Sequence, residues 1–208
     1  MKIQIFHGYV FAAVALMFTC KQTSTPADAN EPCVIQTDSN AIASKLLTLS
    51  DAESIMGEPA ELSCNIFTKK TDTLEYRCDY TALSQDAVTG KTGKLYFMYE
   101  VYVSVAAAEN AYSSIYESNR SHEGVEIVTG LGDEAYYHSD GTNFYFFLVR
   151  KGEKMFRMKL NKVTSHSSEA AFKDVAQRIE KSCWWSVNIF KSPAFAKCPA
   201  PSASSSSI

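Results

Sequence analysis

The fold is decided by the stretch Gly130-Leu131-Gly132-Asp133-Glu134-Ala135-Tyr136-Tyr137, a glycine-flanked turn that runs directly into a strand pattern. Glycine tolerates positive φ, so the backbone can reverse on either side of Leu131 and then extend through the tyrosines. A G-x-G followed by acidic residues also occurs in phosphate-binding loops, but those loops lead into a helix. Because a strand follows here, the stretch predicts a structural turn, with a ligand-binding loop as the alternative.

Two further reversals predict a three-stranded antiparallel meander after this turn. Asp140-Gly141 is the signal for a two-residue type I′ hairpin, and Lys151-Gly152 indicates a second tight reversal. From 153 to 161 the residues largely alternate in polarity, which is the period of a strand with one buried and one solvated face. The meander therefore leads from the turn to the last long helix.

The strand predicted over 94–103 carries large side chains on both faces. One face holds Leu95, Phe97, Tyr99, Val101 and Val103, and the other holds Tyr96, Met98, Glu100 and Tyr102. Two tyrosines and a methionine are unusual on a solvated face, so another element could cover them, or they could line a groove for an apolar or extended ligand. Tyr96, Met98 and Tyr102 are therefore candidate ligand-binding residues.

The remaining elements predict an α+β fold. Strands are expected at about 63–68 and 73–80, and helices at 105–118 and 168–181. The order of helix, strands, helix, strands, helix predicts a single antiparallel sheet packed against helices on one face. Two related halves would fit the same order, although the identity between them is too low to establish a repeat.

A short helix is expected before the first strand. Ser50 and Glu53 have the spacing of a capping box, and Gly57 suits a left-handed helix end. Ser104 is placed to cap the helix over 105–118.

The N-terminus predicts export. Lys2 precedes the apolar run Tyr9–Phe18, which is short for a membrane-spanning helix but suits the core of a signal peptide over residues 1–19. Cys20 follows directly and resembles the cysteine of a bacterial lipobox, although Met17-Phe18-Thr19 departs from the usual Leu, small, small pattern. The resemblance implies lipidation of Cys20 and a membrane anchor.

Other N-terminal processing remains open. Ala27-Asp28-Ala29 is a rival cleavage site that would give a secreted or periplasmic soluble protein, and an uncleaved anchor is a third option. Residues 20–36 are expected to be a flexible tether, 37–198 a single domain, and 199–208 a disordered, serine-rich tail.

The charge limits the kinds of partner. The chain has a formal net charge of −3 and is 46% hydrophobic and 12% aromatic, enough for one substantial core. A mildly acidic chain without a basic cluster does not suit nucleic acid. The expected partners are a membrane through the lipid anchor, and a small-molecule ligand or an envelope protein.

Five cysteines remain beyond Cys20, and they suggest disulfides because the chain is predicted to be exported. None forms a C-x-x-C motif, which disfavours a zinc ribbon or a redox motif. The expected pairs are Cys64 with Cys78, on adjacent strands, and Cys183 with Cys198, across the tail. Cys33 is then left over, and the sequence does not choose between a free thiol, an intermolecular bridge or another connectivity.

No stretch matches a known catalytic or metal-binding motif, so the sequence predicts no cofactor, no metal and no catalytic residue. His138, Asp133 and a serine are the only basis for a hydrolase, and solvated histidines are the simpler interpretation. Asp133 is expected to cap a turn. Arg150, Arg157 and Lys159 could bind a carboxylate or phosphate, or lie as charges on the outer face of the sheet.

Three features together resemble small bacterial envelope lipoproteins of unknown function. They are the lipobox-like Cys20, Leu-Ser-Asp-Ala-Glu-Ser-Ile-Met-Gly-Glu-Pro at 49–59, and the glycine-flanked turn at 130–137 followed by Val149-Arg150-Lys151-Gly152. The resemblance implies an extracytoplasmic sensor or binding module and supplies no catalytic residues. The leading hypothesis is a non-enzymatic envelope lipoprotein that binds a ligand or a protein, with a structural or assembly protein and a hydrolase as alternatives.

Overall fold

The computed structural model of the chain describes residues 42–183. Within them lie the following helices and strands: α1 (Ile42–Leu46), α2 (Leu49–Met56), β1 (Ala60–Lys69), β2 (Thr73–Ala82), β3 (Lys94–Tyr102), α3 (Val105–Asn119), β4 (Val125–Ile127), β5 (Glu134–Ser139), β6 (Phe144–Lys151), β7 (Lys154–Asn161) and α4 (Glu169–Cys183). The strands form one antiparallel sheet in the order β1-β2-β3-β7-β6-β5-β4. The predicted α+β class with a single antiparallel sheet is confirmed, whereas the relation between two halves stays a prediction.

The sheet consists of two meanders that meet at its centre. β1, β2 and β3 form the first, β4 to β7 form the second, and the antiparallel pairing of β3 with β7 joins them. The predicted meander is confirmed as β5, β6 and β7, while the short strand β4 was not predicted. α3 carries the chain from the central strand β3 to the far edge at β4.

One side of the sheet, called the closed side, is covered by α1, α2 and α4. Large side chains from the central strands fill the space beneath these helices, and Tyr80, Phe97, Tyr99, Phe156 and Phe172 are all fully buried there. Burial of such side chains supplies most of the free energy that favours folding. The main core therefore lies between the sheet and these three helices.

The opposite side, called the α3 side, corrects the expectation that the helices lie on one face. Ala108 and Tyr112 of α3 pack against Tyr136, Leu148 and Met155 in a second, smaller core. The reason is that β5, β6 and β7 are apolar on both faces in their middle portions, so their second face must also be covered. The helices thus lie on both faces of the sheet.

The β5–β6 connection differs from the predicted two-residue hairpin. Ser139 pairs with Tyr145, and the carboxylate of Asp140 accepts hydrogen bonds from the amides of Thr142, Asn143 and Phe144. Those bonds stabilise a longer loop that the Asp-Gly signal did not indicate. The second reversal is as predicted, because Lys151 pairs with Lys154 across a two-residue link.

The predicted capping of α2 is right at its end and wrong at its beginning. Thr48, not Ser50, is the N-cap, and its side chain and that of Asp51 complete the capping box. Gly57 ends the helix with a φ of 71°, and a Cβ at this position would collide with the carbonyl oxygen of His166. The left-handed helix end was correctly predicted. Ser104 caps α3, also as predicted.

Several predictions fall outside the described residues. These are the signal peptide over 1–19, lipidation of Cys20, the tether over 20–36, the tail over 199–208, and the positions of Cys33 and Cys198. Between residues 42 and 183, none of the helices has the length and apolar character needed to cross a membrane.

Candidate functional site

α3 covers only part of its side of the sheet, and the uncovered part forms an open groove. The groove has a volume of about 200 Å³ and is lined by the side chains of Arg77, Tyr96, Met98, Phe146, Arg157 and Lys159. Phe97 also borders it, although its side chain is buried on the closed side. Its floor is made by β2, β3, β7 and β6. This groove is the candidate functional site.

The strand register explains why these residues meet. Met98 of β3 lies between Arg77 of β2 and Arg157 of β7, while Lys159 pairs with both Tyr96 and Phe146. Residues paired across antiparallel strands point to the same face, so residues from four strands share one surface.

Of the three predicted ligand-binding residues, the structure places two in the groove. Tyr96 and Met98 are half-buried and line it. Tyr102 points to the same side, but it is only 9% exposed because it packs in the smaller core against α3. Tyr102 is therefore not a groove residue, and the role of the other two in ligand binding stays a prediction.

A second cavity of about 270 Å³ adjoins the groove at the end of α3. Phe146, Arg157 and Lys159 line both spaces, and Ile115, Asn119, His138 and Phe144 complete the second one. Small-molecule sites usually have volumes of about 300–1,000 Å³. The volumes of the two adjoining spaces together reach that range, whereas that of the groove alone does not.

The three cations of the groove differ in how their charges are matched. Arg77 is bound by both oxygens of Asp79, and Arg157 donates from Nη2 to Oε1 of Glu100 at 2.9 Å. Lys159 is exposed, and its ammonium lies 5.4 Å from the ring centroid of Phe144. Among residues 42–183 no carboxylate forms an ion pair with Lys159, so its charge is not matched within the described part of the chain.

Next to the groove, polar atoms around Arg157 lack hydrogen-bond partners in the described part of the chain. They are Nε of Arg157, Oε2 of Glu100 and the hydroxyl of Tyr136. Burial raises the pKa of the Glu100 carboxyl, and the charge of Arg157 opposes that shift. Burial likewise raises the pKa of Tyr136 to about 12, again opposed by Arg157. Such atoms are costly in a folded protein, which makes the surroundings of Arg157 unusual.

Arg150, which the sequence grouped with Arg157 and Lys159, has a different role. Its side chain is only 6% exposed and contacts Glu134 at 2.5 Å, Asp133 at 3.3 Å and Glu109 of α3 at 3.7 Å. Asp133 also accepts from the amide of Gly152 at 2.7 Å, which confirms that it caps a turn. Arg150 therefore joins the glycine-flanked turn to α3 and is not available to a ligand.

A further cavity of about 390 Å³ lies between α3 and the glycine-flanked turn. Its charged lining groups are the acids Glu117, Asp133 and Glu134, and the last two already contact Arg150. Tyr112 and Tyr116 also line it, but none of its lining residues is a cation. The interpretation of this stretch as a structural turn fits these contacts better than a phosphate-binding loop.

The histidines and Asp133 do not assemble a hydrolytic site. His138 is buried rather than solvated, with its ring 4.8 Å from that of Phe144 in an edge-on contact, and burial lowers its pKa. Asp133 adjoins the start of β5 and His138 lies near its end, five residues or about 16 Å farther along an extended strand. The two side chains cannot share a cleft.

The predicted disulfide between Cys64 and Cys78 is wrong. Cys78 is a free, buried cysteine on the closed side, and burial raises its thiol pKa. A β-bulge between Leu62 and Cys64 shifts the register, so that Cys64 lies opposite Asp79 and Asn65 lies opposite Cys78. The bulge turns Cys64 toward the α3 side, away from Cys78. The pairing of Cys183 with Cys198 involves a tail outside the described residues.

The described residues contain no group of three or more histidine, cysteine, aspartate or glutamate side chains that could hold a metal ion. No family model and no curated protein matches the chain significantly.

The sequence missed the contributions of Arg77 and Phe146 to the groove. Each is unremarkable within its own strand, and only the pairing of strands far apart in the chain brings them beside Met98 and Lys159.

Proposed function

We propose that this chain is a non-enzymatic bacterial envelope lipoprotein that binds a small ligand or a protein partner through the groove on the α3 side of the sheet. The observation that supports this proposal is an uncovered sheet surface with an apolar floor, bordered by a cation, Lys159, without a carboxylate partner among residues 42–183. A sheet face needed only for folding would be covered by a helix or lined by solvated polar side chains.

The non-enzymatic part of the proposal is supported by the separation of reactive groups. Asp133 contacts Arg150 and Gly152, while His138 contacts Phe144 at the other end of β5. A general base must lie within hydrogen-bond reach of the group that it activates. The hydrolase alternative therefore has no geometric support among these residues.

The envelope location is supported by the sequence, through the signal-like run Tyr9–Phe18 and by Cys20. Two or three acyl chains would bind the membrane stably, since each buried methylene contributes about 0.8 kcal/mol. Intact mass of the native protein tests this part directly. A diacylated or triacylated chain starting at Cys20 is the expected product, and cleavage after Ala29 would show a soluble exported protein instead.

The binding function is tested by a photo-crosslinking residue placed at position 98. The full chain is expressed in its native bacterial host, so that it is exported to the cell envelope. Met98 is half-buried on the groove floor, so a ligand or partner seated in the groove lies within reach. Position 88 is the matched control, because Val88 is 80% exposed in a loop and does not line the groove.

Mass spectrometry of the crosslinked product distinguishes the candidate functions. A discrete adduct at position 98 but not at 88 supports the groove as the binding site, and its mass separates a small ligand from a protein. A protein adduct of equal yield at both positions favours a structural or assembly protein that does not bind its partner through the groove. No discrete adduct at position 98 would overturn the proposal.

A further inference from the structure

We infer that the groove takes an amphiphile with one anionic head group and a flexible apolar chain. This inference rests on the proposed function, because it assigns a ligand class to the same groove. Three observations carry it: the apolar floor, the cation Lys159 without an ion-pair partner among residues 42–183, and the position of Arg157 and Lys159 between the two cavities.

The floor suits a flexible apolar chain. Tyr96, Met98 and Phe146 supply its apolar surface, and the guanidinium of Arg77 lies 5.9 Å from the ring centroid of Tyr96 at one end. Methionine adapts its shape because its side chain is unbranched and polarizable, so it accommodates a chain with many conformers. An open groove with such a floor fits an extended, bendable ligand better than a rigid one.

The charges select an anionic head group. Asp79 compensates Arg77, and Glu100 compensates Arg157 through a single hydrogen bond at 2.9 Å. Lys159 contributes a further positive charge that no carboxylate of residues 42–183 matches by an ion pair. A cationic head group would meet like charges here, whereas an anionic group would pair with Lys159 and with the remaining donors of Arg157.

The position of the head group follows from the residues that the two cavities share. Arg157 and Lys159 line both the groove and the adjoining cavity, so the positive charge lies at their junction. The head group therefore lies at the junction, and the chain extends over Met98 toward Tyr96.

Calorimetric titration of the full chain with decanoate, decyltrimethylammonium and decanol, each below its micelle-forming concentration, tests the ligand class. The three probes share one apolar chain and differ only in the head group. We expect decanoate to bind, decanol to bind about tenfold more weakly, and decyltrimethylammonium to bind more weakly still.

Lys159→Met separates recognition of the head group from binding of the chain. The substitution keeps a long apolar stem at an exposed position and removes the charge, so the fold is retained and decanoate affinity should fall about tenfold. Lys94→Met is the matched control. Lys94 is exposed on the same side of the sheet but does not line the groove, and its substitution should leave decanoate affinity unchanged.

Equal affinity for decanoate and decyltrimethylammonium, or decanoate affinity that is insensitive to Lys159→Met, would overturn the inference. Failure of all three probes to bind would overturn it as well. If position 98 still gives a discrete crosslinked adduct in that case, the groove remains a binding site for another class of partner. If position 98 gives no adduct either, the proposed function fails together with the inference.

Discussion

Two buried carboxylates in different regions of this protein differ in how many hydrogen bonds they accept. Asp86 joins the β2–β3 loop to the segment before α4, and its fully buried side chain accepts hydrogen bonds from the amides and hydroxyls of Thr89 and Ser165 and from the amide of Val88. Glu100, whose side chain is 5% exposed, accepts one hydrogen bond from Arg157, and its Oε2 has no hydrogen-bond partner among the described residues.

The pKa values of the two carboxyl groups are shifted in opposite directions. Hydrogen bonds, first of all from the amide of Ser165, hold the pKa of Asp86 well below its usual range. Burial raises the pKa of Glu100, and the charge of Arg157 and hydrogen bonding from Tyr102 and Arg157 oppose that shift. A buried carboxylate surrounded by donors stabilises the fold, whereas one left partly unmatched does not. Glu100, the partner of the groove residue Arg157, is therefore a residue that folding alone does not explain.

The largest effect is expected for Arg150→Met. Like Asp86, Arg150 is a buried charged residue that contacts several partners. Its removal leaves Glu109, Asp133 and Glu134 without their shared cation at the junction of the turn and α3. We expect the free energy of unfolding to fall by about 3 kcal/mol, as measured by urea denaturation.

Arg120→Met is the control for Arg150→Met. Arg120 forms an ion pair with Glu117, but both side chains are more than half exposed, so the loss should be below about 1 kcal/mol. Equal losses for the two variants would mean that the Arg150 cluster is no more than a surface ion pair.

The next largest effect is expected for Asp86→Ala. The substitution leaves buried amides and hydroxyls at residues 89 and 165 without an acceptor, so the melting temperature should fall by about 5 °C or more. Asp140→Ala is the matched control, because Asp140 also accepts several loop amides but is exposed, and water can replace it. A smaller effect at Asp86 than at Asp140 would contradict the contrast drawn here.

The contrast between these regions also shows what the sequence could predict. Alternation along β3 correctly placed Tyr96 and Met98 on one face, and local signals correctly gave the cap at Ser104 and the helix end at Gly57. These features depend on neighbouring residues alone, which is why a sequence pattern reveals them.

The remaining features depend on tertiary contacts. The bulge before Cys64 interrupts no visible pattern, because Leu62, Cys64 and Ile66 alternate as in a regular strand. The position of α3 depends on apolar residues that face both sides of the same strands. The charge of the groove depends on the register of β2, β3, β6 and β7, which no local signal sets.

The two carboxylates predict pH dependences of opposite sign. Asp86 has a lowered pKa in the folded state, so its contribution is present above the ordinary aspartate pKa of about 3.9 and is lost as the pH falls below it. Glu100 has a raised pKa in the folded state, so stability is lost as the pH rises above the ordinary glutamate value of about 4.3.

Melting temperatures of the wild type, Asp86→Asn and Glu100→Gln between about pH 3 and pH 7 test these signs. The advantage of the wild type over Asp86→Asn should grow as the pH rises. Relative to Glu100→Gln, the wild type should instead become less stable over the same rise. If both differences in melting temperature changed in the same direction with rising pH, the pKa values of Asp86 and Glu100 would not be shifted in opposite directions.

The smallest effect is expected for Glu100→Gln itself at neutral pH. A glutamine amide oxygen can still accept the hydrogen bond from Arg157, and the substitution removes a buried negative charge whose second oxygen is unmatched. The stabilisation from removing the unmatched buried charge nearly cancels the loss of the charge interaction with Arg157. We therefore expect the free energy of unfolding, measured with urea, to stay within about 1 kcal/mol of the wild type. A loss as large as that for Asp86→Ala would instead place Glu100 among the residues that hold the fold together.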